Sequence, residues 1–183
     1  WQSGLVPKGG QIIDASLVSV PKNRNTRNEN KQIKEGKTPD GWDDKPNMRR
    51  QKDEDARWTK KHGKSHYGYK NQINVDKEHK LIRRRRVTDA SVHDSQVFDD
   101  LVDPDNADPG VWGDAAYRSE ETETVLEAAG YESHICEKGQ AGQPLTAEQE
   151  ARNRQRSKIR SRVEHVFGFQ QNSMGGKLIR TIG

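Results

Sequence analysis

Ile12-Ile13-Asp14-Ala15-Ser16-Leu17-Val18 carries one carboxylate in an otherwise apolar run. The stretch 11–20 reads as a short buried strand. An ionised Asp is unfavourable inside such a strand unless something compensates its charge. Two other segments repeat the problem. Val111-Trp112-Gly113-Asp114-Ala115-Ala116-Tyr117 reads as a second apolar strand. The run 159–167, from Ile159 to Phe167, reads as a helix with Glu164 at the edge of an apolar stripe. A divalent metal compensates carboxylates well, because hard cations take carboxylate oxygens. Three such groups, far apart in sequence, point to one metal site assembled by folding.

The charge balance narrows the substrate. The 183 residues are 29% hydrophobic and 33% charged, with a formal net charge of +4. Lys and Arg crowd into 22–37, 45–64, 80–86 and 152–162, whereas 99–108 and 120–127 are acidic. Uneven basic charge suits a polyanion, so a nucleic-acid phosphodiester is the expected substrate. Cys136 is the one cysteine, which excludes an intrachain disulfide and fits a reducing compartment. No apolar run is long enough to cross a membrane and no signal peptide is visible, so a cytoplasmic, nucleoid-associated location is expected. The chain begins at Trp1 and reads as a piece of a longer protein whose upstream region is missing.

Working outward, 22–57 is polar and reads as a long loop or flexible insertion after the first strand. Residues 67–75 alternate, with Tyr67, Tyr69, Ile73 and Val75 on one face, as in a half-buried strand. A turn over 76–80 and a returning strand over 81–88 complete a hairpin. Residues 94–102 read as a short helix capped by Asp94 or Ser95. Ser119 caps a helix over 120–129 that ends before Gly130, and 131–137 reads as a strand. Thr146 and Gln149 fit a capping box opening one helix to about residue 169. Its apolar residues Ile159, Val163, Val166 and Phe167 follow helical spacing, and Arg160 shares a side with Glu164. This order indicates an α/β domain with a mixed sheet.

Other polar residues carry less. His62 and His66 read as a solvated or DNA-facing pair. His134 and Cys136 alternate on a strand without a partner pair, which argues against zinc. No Gly-rich triphosphate loop is present.

The chain resembles the catalytic domain of bacterial insertion-sequence transposases of the DDE class, in the branch grouped around insertion sequence five. The matching blocks are IIDASLV around Asp14, WTKKHGKSHYGYK from Trp58 to Lys70, VTDASVHDS from Val87 to Ser95, WGDAAY around Asp114 and RSRVEHVFG from Arg160 to Gly168. The resemblance implies an RNase H-like fold over 1–183, a five-stranded mixed sheet flanked by helices. It implies that the first and fourth strands lie side by side, joining Asp14 to Asp114. It also implies a catalytic triad of Asp14, Asp114 and Glu164 binding Mg2+ or Mn2+, two ions in all. The family motif around the glutamate matches at Arg160 and Glu164 but has Ser157 at its Tyr position and Gln171 at its Lys position, leaving Lys177 as an open substitute. The upstream DNA-binding region of full-length relatives is absent. The expected DNA contacts are Lys60, Lys61, Lys64, Lys70, Arg83, Arg84, Arg85, Arg86, Arg156 and Arg160. DNA is the expected partner, with a homodimer on DNA left open.

The expected activity is metal-dependent cleavage of DNA followed by strand transfer. Two alternatives stay open: an RNase H-like nuclease that only hydrolyses, and a non-enzymatic DNA-binding remnant of a transposase.

Overall fold

The computed structural model describes residues 8–20, 23–61, 63–140 and 142–179. Six strands are present: β1 (Gln11–Ser19), β2 (Arg57–Lys61), β3 (Lys64–Asp76), β4 (Ile82–Asp89), β5 (Gly110–Gly113) and β6 (Glu132–Ile135). The helices are α1 (Arg27–Lys34), α2 (Pro46–Arg49), α3 (Phe98–Leu101), α4 (Glu120–Ala128), α5 (Ala147–Arg160) and α6 (Arg162–Asn172). The strands form one mixed sheet in the order β2-β3-β1-β5-β6, with β4 also paired to β3. β1, β5 and β6 run parallel, and β2 and β3 are antiparallel. The α/β class and mixed sheet therefore agree with the sequence reading, with six strands in place of five. The extra strand is β2, which makes the Asp114-bearing strand fifth in the chain.

The chain divides into two compact units. The first comprises 1–15, 72–86 and 93–169. Its parallel pairing sets Ile12 against Trp112 and Ile13 against Gly113. Successive strand residues point to opposite faces. Ile12 therefore joins Ile73, Val75, Trp112, Val163 and Phe167 in one buried cluster, with Ile159 and Val166 against it. Ile13 belongs to the other face. Burying side chains such as Val163 and Phe167 contributes about 1.5–3 kcal/mol each, and this apolar stripe is what docks α5 and α6.

The expected single helix over 146–169 is two helices. It starts as read, with Thr146 and Gln149 capping each other, and breaks at Ser161, whose Oγ donates to the Lys158 carbonyl at 2.9 Å. Such back-bonding competes with the helical ladder. The 94–102 helix is likewise divided into a 3-10 turn over Asp94–Val97 and α3, and His93 provides the cap. α4 begins after Ser119 as expected.

Over its last five residues β3 is buried on both faces, whereas its first residues are exposed. Gln72, Asn74 and Asp76 are as buried as Ile73 and Val75. Asn74 Nδ2 donates to Gln11 Oε1 and to the Leu101 carbonyl, whereas Asn74 Oδ1 finds no hydrogen-bond partner among the described residues. Asp76 accepts from the Gly9, Glu78 and His79 N–H groups. Burial pushes the Asp76 carboxyl up, but these bonds outweigh it and hold the group below its usual range.

The second unit comprises 16–71, 87–92 and 170–183. It contains the stretch read as a flexible loop. There Thr26 and Glu29 form a capping box that starts α1, and Pro46 opens α2. Trp42 is 1% exposed and donates its Nε1 to Glu29 at 2.8 Å. Val20, Ala56 and Tyr67 form a small core with Trp58 and Tyr69 packed on it. Asp53 organises the polar side, accepting the Tyr69 hydroxyl and the Ala56 N–H.

Gly68, in β3, has φ +153°, and a Cβ there would collide with the Val18 carbonyl oxygen and press on Ser19 Cα at 3.2 Å. Both obstacles are backbone, so neither can rotate away. Gly68→Ala is expected to cost about 2–3 kcal/mol and to lower Tm by about 5–10 °C. A thermal melt followed by circular dichroism measures this, and an unchanged Tm would show that the two backbones are free to part.

Candidate metal centre

β1 and β5 are in register through Ile13 and Gly113, and Asp14 and Asp114 are the next residues on each. Asp14 still lies within its strand, 8% exposed. Asp114 lies just past the end of β5, where it precedes a 3-10 turn over Ala115–Tyr117 and makes no side-chain cap bond. It is therefore not a mid-strand residue, as its apolar neighbours had suggested. Burial pushes the Asp14 carboxyl above its ordinary value, and the nearby Asp114 charge adds to that push. Arg160 and the Ala15 N–H act in the opposite direction without cancelling it.

Arg160, the last residue of α5, donates to Asp14 Oδ2 at 2.6 Å. Its other terminal nitrogen lies 3.9 Å from Glu164 Oε1, in the first turn of α6. The two nitrogens of one planar guanidinium are about 2.3 Å apart, so these two carboxylate oxygens lie within about 9 Å of each other. The Glu164 side chain is 65% exposed. The structure thus brings Asp14, Asp114 and Arg160 together and leaves Glu164 at the open margin.

Among the described residues, no group of three His, Cys, Asp or Glu side chains stands ready to hold an ion. The donor chemistry nonetheless fits a hard divalent cation. The oxygens are carboxylates, Asp14 is raised by an uncompensated burial, and the cation nearest to it is a guanidinium. A divalent ion would bring two positive charges where the guanidinium brings one, and so could compensate both Asp14 and Asp114.

One nearby residue escaped the sequence reading. Tyr117 is completely buried, and its hydroxyl has no hydrogen-bond partner. Burial raises its pKa well above the ordinary value, and the charges of Asp94, Asp14 and Asp114 raise it further. The available signal was the Tyr at the end of WGDAAY, which looked like plain core. Ser157 touches Cys136 Sγ at 3.8 Å. In the second unit Gln171 donates to Ser16 Oγ at 2.6 Å, and Lys177 is exposed.

The basic residues expected on DNA divide by their partners. Arg83 pairs with Asp103 at 2.6 Å and its side chain is 3% exposed, which leaves it no face for DNA. Arg84 and Arg86 lie beside Asp103 and Asp100. Arg156 pairs with Glu137, and Lys70 donates to the Val92 carbonyl. Lys60, Lys61, Lys64 and Arg85 are exposed. His62 lies outside the described residues. His134 stacks on Trp112 at 4.5 Å.

The comparisons with known proteins concern this same chain. A family profile described as a transposase DDE domain matches residues 7–183. The transposase for insertion sequence element IS1106 from Neisseria meningitidis serogroup B is 34% identical over 117 residues. That alignment covers 64% of this chain and 40% of the relative. No solved structure matches.

A pH-dependent outcome follows from Asp14. Its pKa is raised on folding, so its contribution to stability is fully present below the unfolded value near 3.8 and is lost as pH rises through the folded value. Asn cannot lose a proton. The Tm difference between Asp14→Asn and the native chain is therefore expected to be more favourable to the variant at pH 7 than at pH 3. Melts at both pH values test this, and an equal difference would mean that Arg160 compensates the carboxylate fully.

Proposed function

The chain belongs to the transposase DDE domain family, and on that premise we propose that it is a metal-dependent catalytic domain that cuts DNA and joins the freed end to target DNA. Its fold on this reading is RNase H-like, with the whole of 1–183 as one catalytic domain and 22–57 as its insertion. The observation that carries the reading is the meeting of Asp14 and Asp114 at adjacent positions on two parallel strands, with Arg160 bridging Asp14 to Glu164.

Asp14, Asp114 and Glu164 are the proposed ligands and catalytic residues. Bound Mg2+ or Mn2+, two ions in this reading, supplies activation of the attacking oxygen and stabilisation of the leaving oxygen. Asp14, within β1, and Asp114, just past the end of β5, concentrate negative charge at one place on the sheet. Arg160 orients Asp14 by its 2.6 Å bond and offsets its charge. Glu164, on the exposed first turn of α6, reaches the same region from the helix side. The exposed Lys60, Lys61, Lys64 and Arg85 are proposed to meet DNA phosphates.

Among the described residues, no helix is long and apolar enough to cross a membrane. The DNA partner, a homodimer on DNA and a nucleoid-associated cytoplasmic location remain parts of the proposal. So does assignment to the branch around insertion sequence five.

Asp114→Asn and Glu164→Gln are each expected to lower Mn2+-dependent cleavage of a duplex by at least about 100-fold, with the far-ultraviolet spectrum unchanged. A labelled donor end with a plasmid target separates transfer from hydrolysis on a gel. Cleavage without joined product would replace the transposase reading with a hydrolytic nuclease. Full cleavage by either variant would remove that residue from the triad.

A further inference from the structure

The second unit carries a groove of about 440 Å³ between α1 and β2. Arg27, Lys31, Lys34, Arg57 and Lys60 line it, and no carboxylate does. On α1 the residues Arg27, Asn30, Lys31 and Lys34 fall at i, i+3, i+4 and i+7, so they share one helix face. The acidic residues of the same segment are engaged elsewhere. Glu29 caps the helix and holds Trp42 and Lys52, and Glu35 holds Lys37.

Among the described residues, none of the five cations has an acidic partner. Arg57 is fixed by donating to the Glu54 and Ala56 carbonyls, which orders its guanidinium without neutralising it. Ser65 and Thr59 add hydroxyls to the wall. Asn30 also lines it, and its buried Nδ2 has no partner.

We propose that this groove is a phosphate-binding site for the backbone of duplex DNA, distinct from the carboxylate centre. The cations on α1 recur about 4.5–6 Å apart along the axis, at about 1.5 Å rise per residue. That spacing suits a ligand with repeated negative charges along a chain. Five cations without acids would repel one another if left bare, and releasing counterions from DNA supplies the driving force for a polyanion. Serine, threonine, asparagine and backbone-anchored arginine are the usual donors to phosphate oxygens. Attraction of these cations to phosphates carries no sequence information, so the contact is expected to be independent of sequence. The inference extends the DNA reading above and shares Lys60 with it, but it rests on no residue of the proposed carboxylate site.

The test is fluorescence anisotropy of the full chain with a labelled duplex of arbitrary sequence, over 50 to 200 mM salt. One variant carries Arg27→Gln, Lys31→Gln and Lys34→Gln. Glutamine keeps helix propensity, and all three positions are exposed. The control carries Lys37→Gln, Lys45→Gln and Arg50→Gln, which removes the same charge from exposed positions of the same unit.

The groove variant is expected to bind about tenfold or more weakly than the control, with a log–log salt slope flatter by about 2–3, at about 0.9 per lost phosphate contact. Equal affinity and slope in the two variants would overturn the groove. So would equal competition by polyglutamate of matched charge. Groove-dependent binding in a chain that never cleaves leaves this site standing and removes the catalytic proposal. Cleavage with groove-independent binding does the reverse.

Discussion

The charge on Asp14 constrains the first unit more than any other single group. It is seated in a buried parallel strand, where ionisation is unfavourable, beside a second aspartate that makes it more so. A cation has to approach from outside the sheet. Arg160 does this, which obliges the end of α5 to lie against Asp14 inside β1. The apolar stripe through Ile159, Val163, Val166 and Phe167 docks those helices on the sheet face that carries Ile12 and Trp112. Hydrophobic docking and charge compensation therefore demand the same helix position, and either alone would leave the other unsatisfied.

The second unit is built on a different principle. Its apolar core is small, and its order comes from caps and buried polar hubs. Glu29 joins the start of α1 to Trp42 and Lys52. Asp53 gathers the Tyr69 hydroxyl and the Ala56 N–H, while its carbonyl takes the Tyr67 hydroxyl. Burial raises the Tyr67 hydroxyl to about 12, so it remains a donor. Glu29 and Asp53 are thus turned inward, while Asp43, Asp44, Glu54 and Asp55 stay exposed away from the α1 face. The basic residues of the same segment are left to the surface, and that is how a unit of mixed composition acquires one face of a single sign.

How far the chain could be read in advance differed by element. β1, the hairpin of β3 and β4, the Ser119 cap of α4 and the Thr146 start of α5 were legible because each carries a local signal. Thr26 and Glu29 carried the same capping signal as Thr146 and Gln149, but the polar composition of 22–57 drowned it, and α1 was read as loop. The break at Ser161 has no Gly or Pro to mark it, and the apolar stripe runs straight through. Within the Arg83–Arg86 run the sequence did not show that Arg83 would be buried on Asp103, or that Arg84 and Arg86 would lie beside Asp103 and Asp100, because these contacts form only on folding, whereas Arg85 stays exposed. At the candidate site the three carboxylates were visible as local anomalies, and the pairing of β1 with β5 followed from the resemblance. The buried Tyr117 hydroxyl was not visible, because an aromatic in an apolar run looks the same whether or not its oxygen finds a partner.

The break at Ser161 separates two residues that one straight helix would have locked together. Arg160 ends α5 and Glu164 lies on α6, so their relative direction would change with any bend between these two helical rods, which pack on one apolar cluster. A change in that bend would alter how far the glutamate stands from the aspartates while every hydrogen bond within each rod stayed intact. Residue 161 is thus a joint. Variation there, or in the packing of Phe167 alone, would retune the spacing of the acidic groups without replacing any of them.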